Sequence, residues 1–330
     1  MTRPDPLRRD QVNWTQYDPS RSAGHYESFY LRGNDPQRPL AFWIRYTIFS
    51  PAGRPADALG ELWAIVFDGE TNTHATAKLE LPLAECAFPN HRFEVRVGQA
   101  TLDGGEVRGQ VGPINWELRY EGDDPPLYLL PERLYGGGFP KAKSLVSRPL
   151  VRFTGGISVE TREIAVDGWL GSQNHNWGSR HTDHYAFGQV AGFDNAPDSF
   201  LEVATARNRI GPLWTPALTP LVLRHRGREH ALTSIGRMFR ATANITPTRW
   251  TFATRSTDIS IRGTIDAPAE AFVQLEYRNP PGGIKYCHNT KLARCELTLT
   301  DPSTRTVEVL ESRHGALFEI LDDDPASGSA

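Results

Sequence analysis

Little in this chain points to redox, metal or nucleotide chemistry. Only three cysteines occur in 330 residues (Cys86, Cys287, Cys295), and none forms a CxxC pair. An odd count without paired spacing fits free thiols in a reducing compartment better than a disulfide framework. No apolar run approaches the roughly 20 residues a membrane-spanning helix needs. The N-terminal MTRPDPLRRDQVNW is charged and proline-bearing and lacks the apolar stretch of a secretory signal. No polybasic block occurs, and the net charge of −3 comes from interspersed signs, so the charge pattern along the sequence does not argue for nucleic acid or an anionic membrane as a partner. There is no Walker loop, Gly136-Gly137-Gly138 lacks the dinucleotide-binding pattern, and no G-x-S-x-G surrounds Ser172 or Ser179. These absences lead us to expect a cytoplasmic chain with no cofactor and no stable membrane insertion.

What is present is alternation at period two, with helical periodicity scarce. Segments such as LAFWIRYTIF, ELWAIVFDG, NWELRY, HYAFGQVAGF and RCELTLTD read as short strands. The 25 prolines and 29 glycines supply turns between them. The chain reads as all-β.

Internal repetition organises these strands. HYESFYLRGNDPQRPLAFWI from His25 resembles HYAFGQVAGFDNAPDSFLEV from His184. VRGQVGPINWELRYEGDDPP around Gly109 resembles IRGTIDAPAEAFVQLEYRNPP around Gly263, and the strand near 150 resembles the strand near 296. His184 follows His25 by 159 positions, Gly263 follows Gly109 by 154, and Tyr277 follows Tyr120 by 157. Matches in the same order at nearly constant offset predict a tandem duplication. Each copy then holds about eight antiparallel strands, which must close on themselves to manage their edges. The expected organisation is one barrel over 15–180, a second over 181–322, and a disordered polar tail over 323–330.

The junction reads GWLGSQNHNWGSRHTDHYAFGQ, from 168 to 189. His175, His181 and His184 match no metal-ligand spacing, and on a strand His181 and His184 point to opposite faces; no metal is expected. Gln173, His175, Asn176 and Trp177 offer amide, imidazole and indole groups, and they have no counterpart in the second copy. Such a cluster suits ligand binding or the pinning of the two barrels together, and residue chemistry leaves both open.

The segment Gln173-x-His175-Asn176-Trp177-Gly178, at the junction of two β repeats, resembles the lipocalin-like superfamily. That superfamily holds the carotenoid 1,2-hydratases (hydroxyneurosporene synthases), AttH-like bacterial proteins, fungal kievitone hydratases and fungal lipocalin-like Diels–Alderases. The likeness in layout runs from about residue 20 to 322, while its specific part is short. It implies tandem calycin barrels related by internal duplication. It also implies apolar substrates bound in one barrel or near the inter-barrel cleft, and chemistry without metal or nucleotide.

Hydration of an isolated alkene needs a proton donor, usually a carboxylic acid with raised pKa in an apolar pocket, and aromatic faces to stabilise the cation. Glu27, His175 and Asp183 are the candidate catalytic groups. Gln173, Asn176, Trp177, Tyr185, Trp43, Trp63, Trp116 and Tyr286 are the candidate substrate contacts. A cyclase needs only a shaped site and one or two hydrogen-bond donors. The sequence therefore leads us to expect a cofactor-independent hydratase or cyclase. Its partner would be a small hydrophobic isoprenoid, polyene or polyketide-like molecule, collected by transient membrane contact. The alternatives are a lipid carrier or stress-related binding protein, and a scaffold whose barrels are filled.

Overall fold

The computed structural model describes residues 10–324, so most of the tail expected over 323–330 lies outside the described residues. Two compact units are present. The first takes residues up to Leu127, Lys141–His181 and Arg278–Gly283; the second takes Tyr128–Pro140, Thr182–Tyr277 and the residues from Ile284 onward.

The first half of the chain forms β1 (His25–Asn34), β2 (Leu40–Ser50), β3 (Leu59–Asp68), β4 (Thr73–Pro82), β5 (Cys86–Ala87) and β6 (Glu94–Val97). It continues with β7 (Ala100–Asp103), β8 (Glu106–Val111), β9 (Ile114–Glu121), β10 (Leu127–Tyr128), β11 (Ala142–Val159) and β12 (Arg162–Gly178). The second half forms β13 (His184–Phe193), β14 (Ala196–Arg207), β15 (Arg209–Ile210), β16 (Leu213–Trp214), β17 (Leu221–His225) and β18 (Arg228–Leu232). A short helix α1 (Ile235–Arg240) precedes β19 (Thr242–Ile245), β20 (Arg249–Arg255), β21 (Ser260–Asp266), β22 (Val273–Arg278), β23 (Ile284–Thr300) and β24 (Val307–Asp322).

Sheet order exposes the duplication directly. The first sheet runs β4-β3-β2-β1-β12-β11-β9-β8-β7-β6-β5 and the second β18-β17-β14-β13-β24-β23-β21-β20-β19. Position by position, β1 corresponds to β13, β12 to β24, β11 to β23 and β9 to β21. Each antiparallel sheet curls around its own apolar core, giving two barrel-like halves. The repeats beginning at His25 and His184 open equivalent strands, and those near 150 and 296 fall on β11 and β23.

The middle match needs correction. Gly109 lies on β8 but Gly263 lies on β21, the equivalent of β9; Tyr120 lies on β9 and Tyr277 on β22. The two segments are displaced by one strand. Each glycine sits beneath an aromatic ring of its neighbour strand, Trp116 for Gly109 and Phe252 for Gly263. An added Cβ would collide with that ring in either place. A shared packing demand on adjacent strands thus mimics homologous position.

The inward-facing alternation fills the first barrel. Phe29 and Leu31 of β1, Phe42, Ile44 and Tyr46 of β2, Trp116 of β9, Phe153 of β11 and Trp169 of β12 belong to one continuous core. Trp169 is 2% exposed, and its truncation to alanine costs about 3–5 kcal/mol.

Candidate functional site

On β12 the core residue Trp169 sets the parity. Gly171, Gln173, His175 and Trp177 share its face, and Ser172, Asn174 and Asn176 take the other. On β1, Glu27 shares the face of Phe29 and Leu31. The antiparallel register sets Glu27 opposite Trp177 and Phe29 opposite His175. The local sequence thus delivers one carboxylate, one imidazole and one indole to the end of the first barrel.

Glu27 and His175 meet there, both 0% exposed. His175 Nε2 lies 2.8 Å from Glu27 Oε1, and His25 Nε2 lies 2.9 Å from Glu27 Oε2. The backbone N–H of Gln16 donates to both carboxylate oxygens, at 2.8 and 3.0 Å. The other ring nitrogen of His175, Nδ1, lies 2.7 Å from the Val12 carbonyl oxygen. A carbonyl only accepts, so Nδ1 carries a hydrogen and donates it. The Nε2–Oε1 contact must then hold one proton of its own. Phe29 stacks on the His175 ring at 4.4 Å, and Trp177 packs against it at 4.6 Å.

Burial pushes the Glu27 carboxyl up. The hydrogen bonds from His175 and His25 and their charge outweigh it and hold the group below the usual carboxylate range, the reverse of the raised carboxylic acid that the hydration reading expects. His25, with 18% of its side chain exposed, is the member of the cluster that reaches solvent.

A short N-terminal segment closes this end. Asn13 exchanges hydrogen bonds with the Gln173 carboxamide at 2.9 and 3.1 Å and accepts from the Ser147 hydroxyl. Asp10 lies 3.5 Å from Arg148. Together with the Val12 carbonyl and the Gln16 amide, these contacts seat residues 10–16 over the polar cluster as a plug. Nothing in the reading of the sequence singled out Val12, Asn13 or Gln16.

The remaining sequence candidates are dispersed. Asn176 points away from the pair, across from Ser28 and Ser144, with its buried carboxamide oxygen accepting no hydrogen bond among the described residues. Trp116 is part of the barrel core. Trp43 packs near Tyr30 and Arg45, and Trp63 bonds Glu61 under Lys78. His181 stacks on Tyr26 at 4.0 Å. Asp183, Tyr185 and Tyr286 belong to the second unit. There Asp183 lies 3.3 Å from Lys285 Nζ and accepts the Arg209 N–H at 2.8 Å, while His184 pairs with Asp322. Tyr185 and Tyr286 are half-buried at the starts of β13 and β23. Among the described residues, no three His, Cys, Asp or Glu side chains gather into a metal-binding group.

The second barrel supplies an internal comparison. With His25 matched to His184, Glu27 corresponds to Ala186. The stretch expected to lack a counterpart has one, because β24 matches β12: the equivalent of His175 is Phe318, which pairs with Gly188 as His175 pairs with Phe29. Both Ala186 and Phe318 are core residues. One fold carries a buried polar pair in one copy and an apolar pair in the other.

No family model matches the chain. An uncharacterized protein of Mycobacterium tuberculosis is 24% identical over 279 residues, covering 84% of this chain and 82% of its own. Three solved structures share the fold across almost the full length. A putative AttH from Nitrosomonas europaea has a TM-score of 0.58 at 14% identity, covering 92% of this chain and 94% of its own. Kievitone hydratase from Nectria haematococca has 0.57 at 10%, covering 91% and 88%. CghA, solved with Sch210972, has 0.58 at 10%, covering 95% of each chain. The tandem lipocalin-like architecture implied by the junction motif is therefore the architecture of this chain.

Proposed function

We propose that this chain is an enzyme of the hydratase or cyclase type, with the Glu27–His175 pair as its proton donor and the plug of residues 10–16 as its cover. The observation that carries the reading is the asymmetry between the barrels. Replacing a buried ionic pair by apolar residues is commonly neutral or stabilising, and Ala186 with Phe318 is such a replacement within this very fold. Folding alone does not call for Glu27 and His175. The hydratase name of one structural neighbour supports the reaction class.

Withdrawal of the plug exposes a proton held between Nε2 and Oε1 beside two aromatic rings. In a hydration, that proton passes to the less substituted carbon of an alkene as its π bond breaks. The tertiary cation forms against the faces of Phe29 and Trp177. Water adds to it, and the surplus proton returns to the pair, with His25 as the link to solvent. In a cyclisation the same pair polarises a carbonyl and the apolar rim holds the folded chain. The substrate class remains that expected from the sequence, an isoprenoid, polyene or polyketide-like molecule met in the cytoplasm, without cofactor.

A carrier is the second reading, favoured by the complete hydrogen bonding and closure of the pair. Extraction of hydrophobic molecules from the purified full chain, followed by incubation of each with fresh protein, tests the choice. An extracted polyene or prenylated molecule that gains one water or isomerises supports the enzyme. A mixture of ordinary lipids returned unchanged supports the carrier.

A further inference from the structure

One end of the second barrel carries an unusual surface. Strand β14 ends there, β17 starts there, and the Ala206–Leu218 bridge with the Thr219–Met238 hydrogen bond ties hairpin β15–β16 and helix α1 to the same end. The β20–β21 turn joins them, because Arg255 pairs with Ser260 and Thr242 with Ala253.

Large apolar side chains project from this end. Ile210 and Leu213, flanking the Gly211-Pro212 turn of the hairpin, are each 71% exposed, and Ile235 and Phe239 of α1 are 50% and 51% exposed. Ile235 and Phe239 stand four positions apart, hence on one side of the helix, while Met238 on the adjoining flank is buried. The hairpin is braced rather than loose. Asp183 accepts the Arg209 N–H and donates its own N–H to Asn208, and Thr215 bonds Asn208 through both backbone and hydroxyl. Six residues of ordered chain thus hold two aliphatic side chains out in water.

Arginines predominate around them. Arg207 and Arg209 lie over the Trp214 ring at 4.5 and 4.6 Å. A cleft of about 580 Å³ is lined by Arg237, Arg240, Arg255 and Arg262 with five serine and threonine side chains. Three of the acids at this end pair with cations or imidazole, Asp183 and Asp323 with Lys285 and Asp322 with His184, while Asp258 in the β20–β21 turn accepts from the Thr257 hydroxyl. Aliphatic tips, an interfacial tryptophan and a ring of arginines form the pattern that enters the headgroup layer of a bilayer.

We propose that this end of the second barrel docks on the surface of an anionic lipid bilayer, the aliphatic tips entering the headgroup boundary and the arginines taking lipid phosphates. The proposal concerns where the chain collects a hydrophobic molecule and stands independently of what it does to that molecule. Co-sedimentation of the full chain tests it, with vesicles of phosphatidylcholine alone or mixed with phosphatidylglycerol. The chain is expected to pellet only with the mixed vesicles, and less so as salt rises. Ile210→Glu with Leu213→Glu abolishes pelleting. Arg237→Glu with Arg240→Glu weakens it at least about 25-fold, on the order of fivefold for each basic residue lost. Melting temperatures of all variants are measured alongside, and Ile210→Ser with Leu213→Ser replaces any pair that fails to fold. The proposal is overturned if the chain stays in the supernatant with mixed vesicles, or if neither pair of changes alters pelleting. It is equally overturned if inorganic phosphate binds the cleft while vesicles do not, or if the apolar pair proves to hold two copies of the chain together.

Discussion

At the scale of single residues, the structure turns on one proton in one contact. Because Glu27 is held below its unfolded carboxylate pKa, the unfolded chain binds more protons in the acidic range than the folded one. Stability from this group is therefore fully present above the ordinary value of about 4.3 and is lost as pH falls through the depressed folded value. His288, whose pKa burial lowers, acts with the same sign nearer neutrality: it resists protonation when folded, so acidification below about 6.5 also destabilises. Urea unfolding across pH should thus show stability falling on the acid side, and Glu27→Gln should flatten the lowest part of that fall. The single change also leaves His175 and His25 without their carboxylate. A loss of about 3–5 kcal/mol at neutral pH is expected, as for any broken buried pair. Glu27 and His175 were both legible as chemistry-bearing residues. Their pairing was not, since the two stand 148 positions apart and only the barrel closure joins them.

At the scale of elements, the N-terminal plug explains what sequence patterning misses. Residues 10–16 have no strand or helix periodicity, and two of their key contacts use the Val12 carbonyl and the Gln16 N–H. Every residue type carries a backbone carbonyl, and all but proline carry the N–H, so no side-chain signal marks the segment. Gln16→Pro removes that donor, together with the side-chain bond to the Trp14 carbonyl. It should raise hydrogen–deuterium exchange in 10–16 while the exchange of β23 and β24 stays as it was. Asn13→Ala leaves Gln173 and Ser147 short of partners and should cost about 1–3 kcal/mol in urea unfolding. Asp183 illustrates the opposite error. Its carboxylate looked available on a local reading, but Lys285, 102 positions away, pairs with it, and its oxygen fixes the hairpin backbone. Asp183→Ala should therefore speed proteolytic cutting in 207–214.

At the scale of the whole molecule, all-β patterning and duplication were readable because alternation and a repeated order survive in the sequence. Strand-by-strand equivalence was not, as the displaced Gly109 and Gly263 show: neighbouring strands impose the same demand for a residue without a side chain. Burial was legible only in part. Trp116 carries the same inward parity whether it lines a ligand cavity or fills a core, and here it fills a core.

The two copies of the barrel also supply the decisive comparison. Glu27→Ala combined with His175→Phe copies into the first barrel the pair that the second barrel already uses. The double variant should fold with stability near that of the parent, whereas either single change is costly. The most direct test is conversion by this double variant, measured by mass spectrometry on a hydrophobic cell extract that the parent chain transforms. The account predicts a folded protein with no conversion, neither the gain of one water nor an isomer. Conversion at the parent's rate would contradict it and remove Glu27 and His175 from the chemistry.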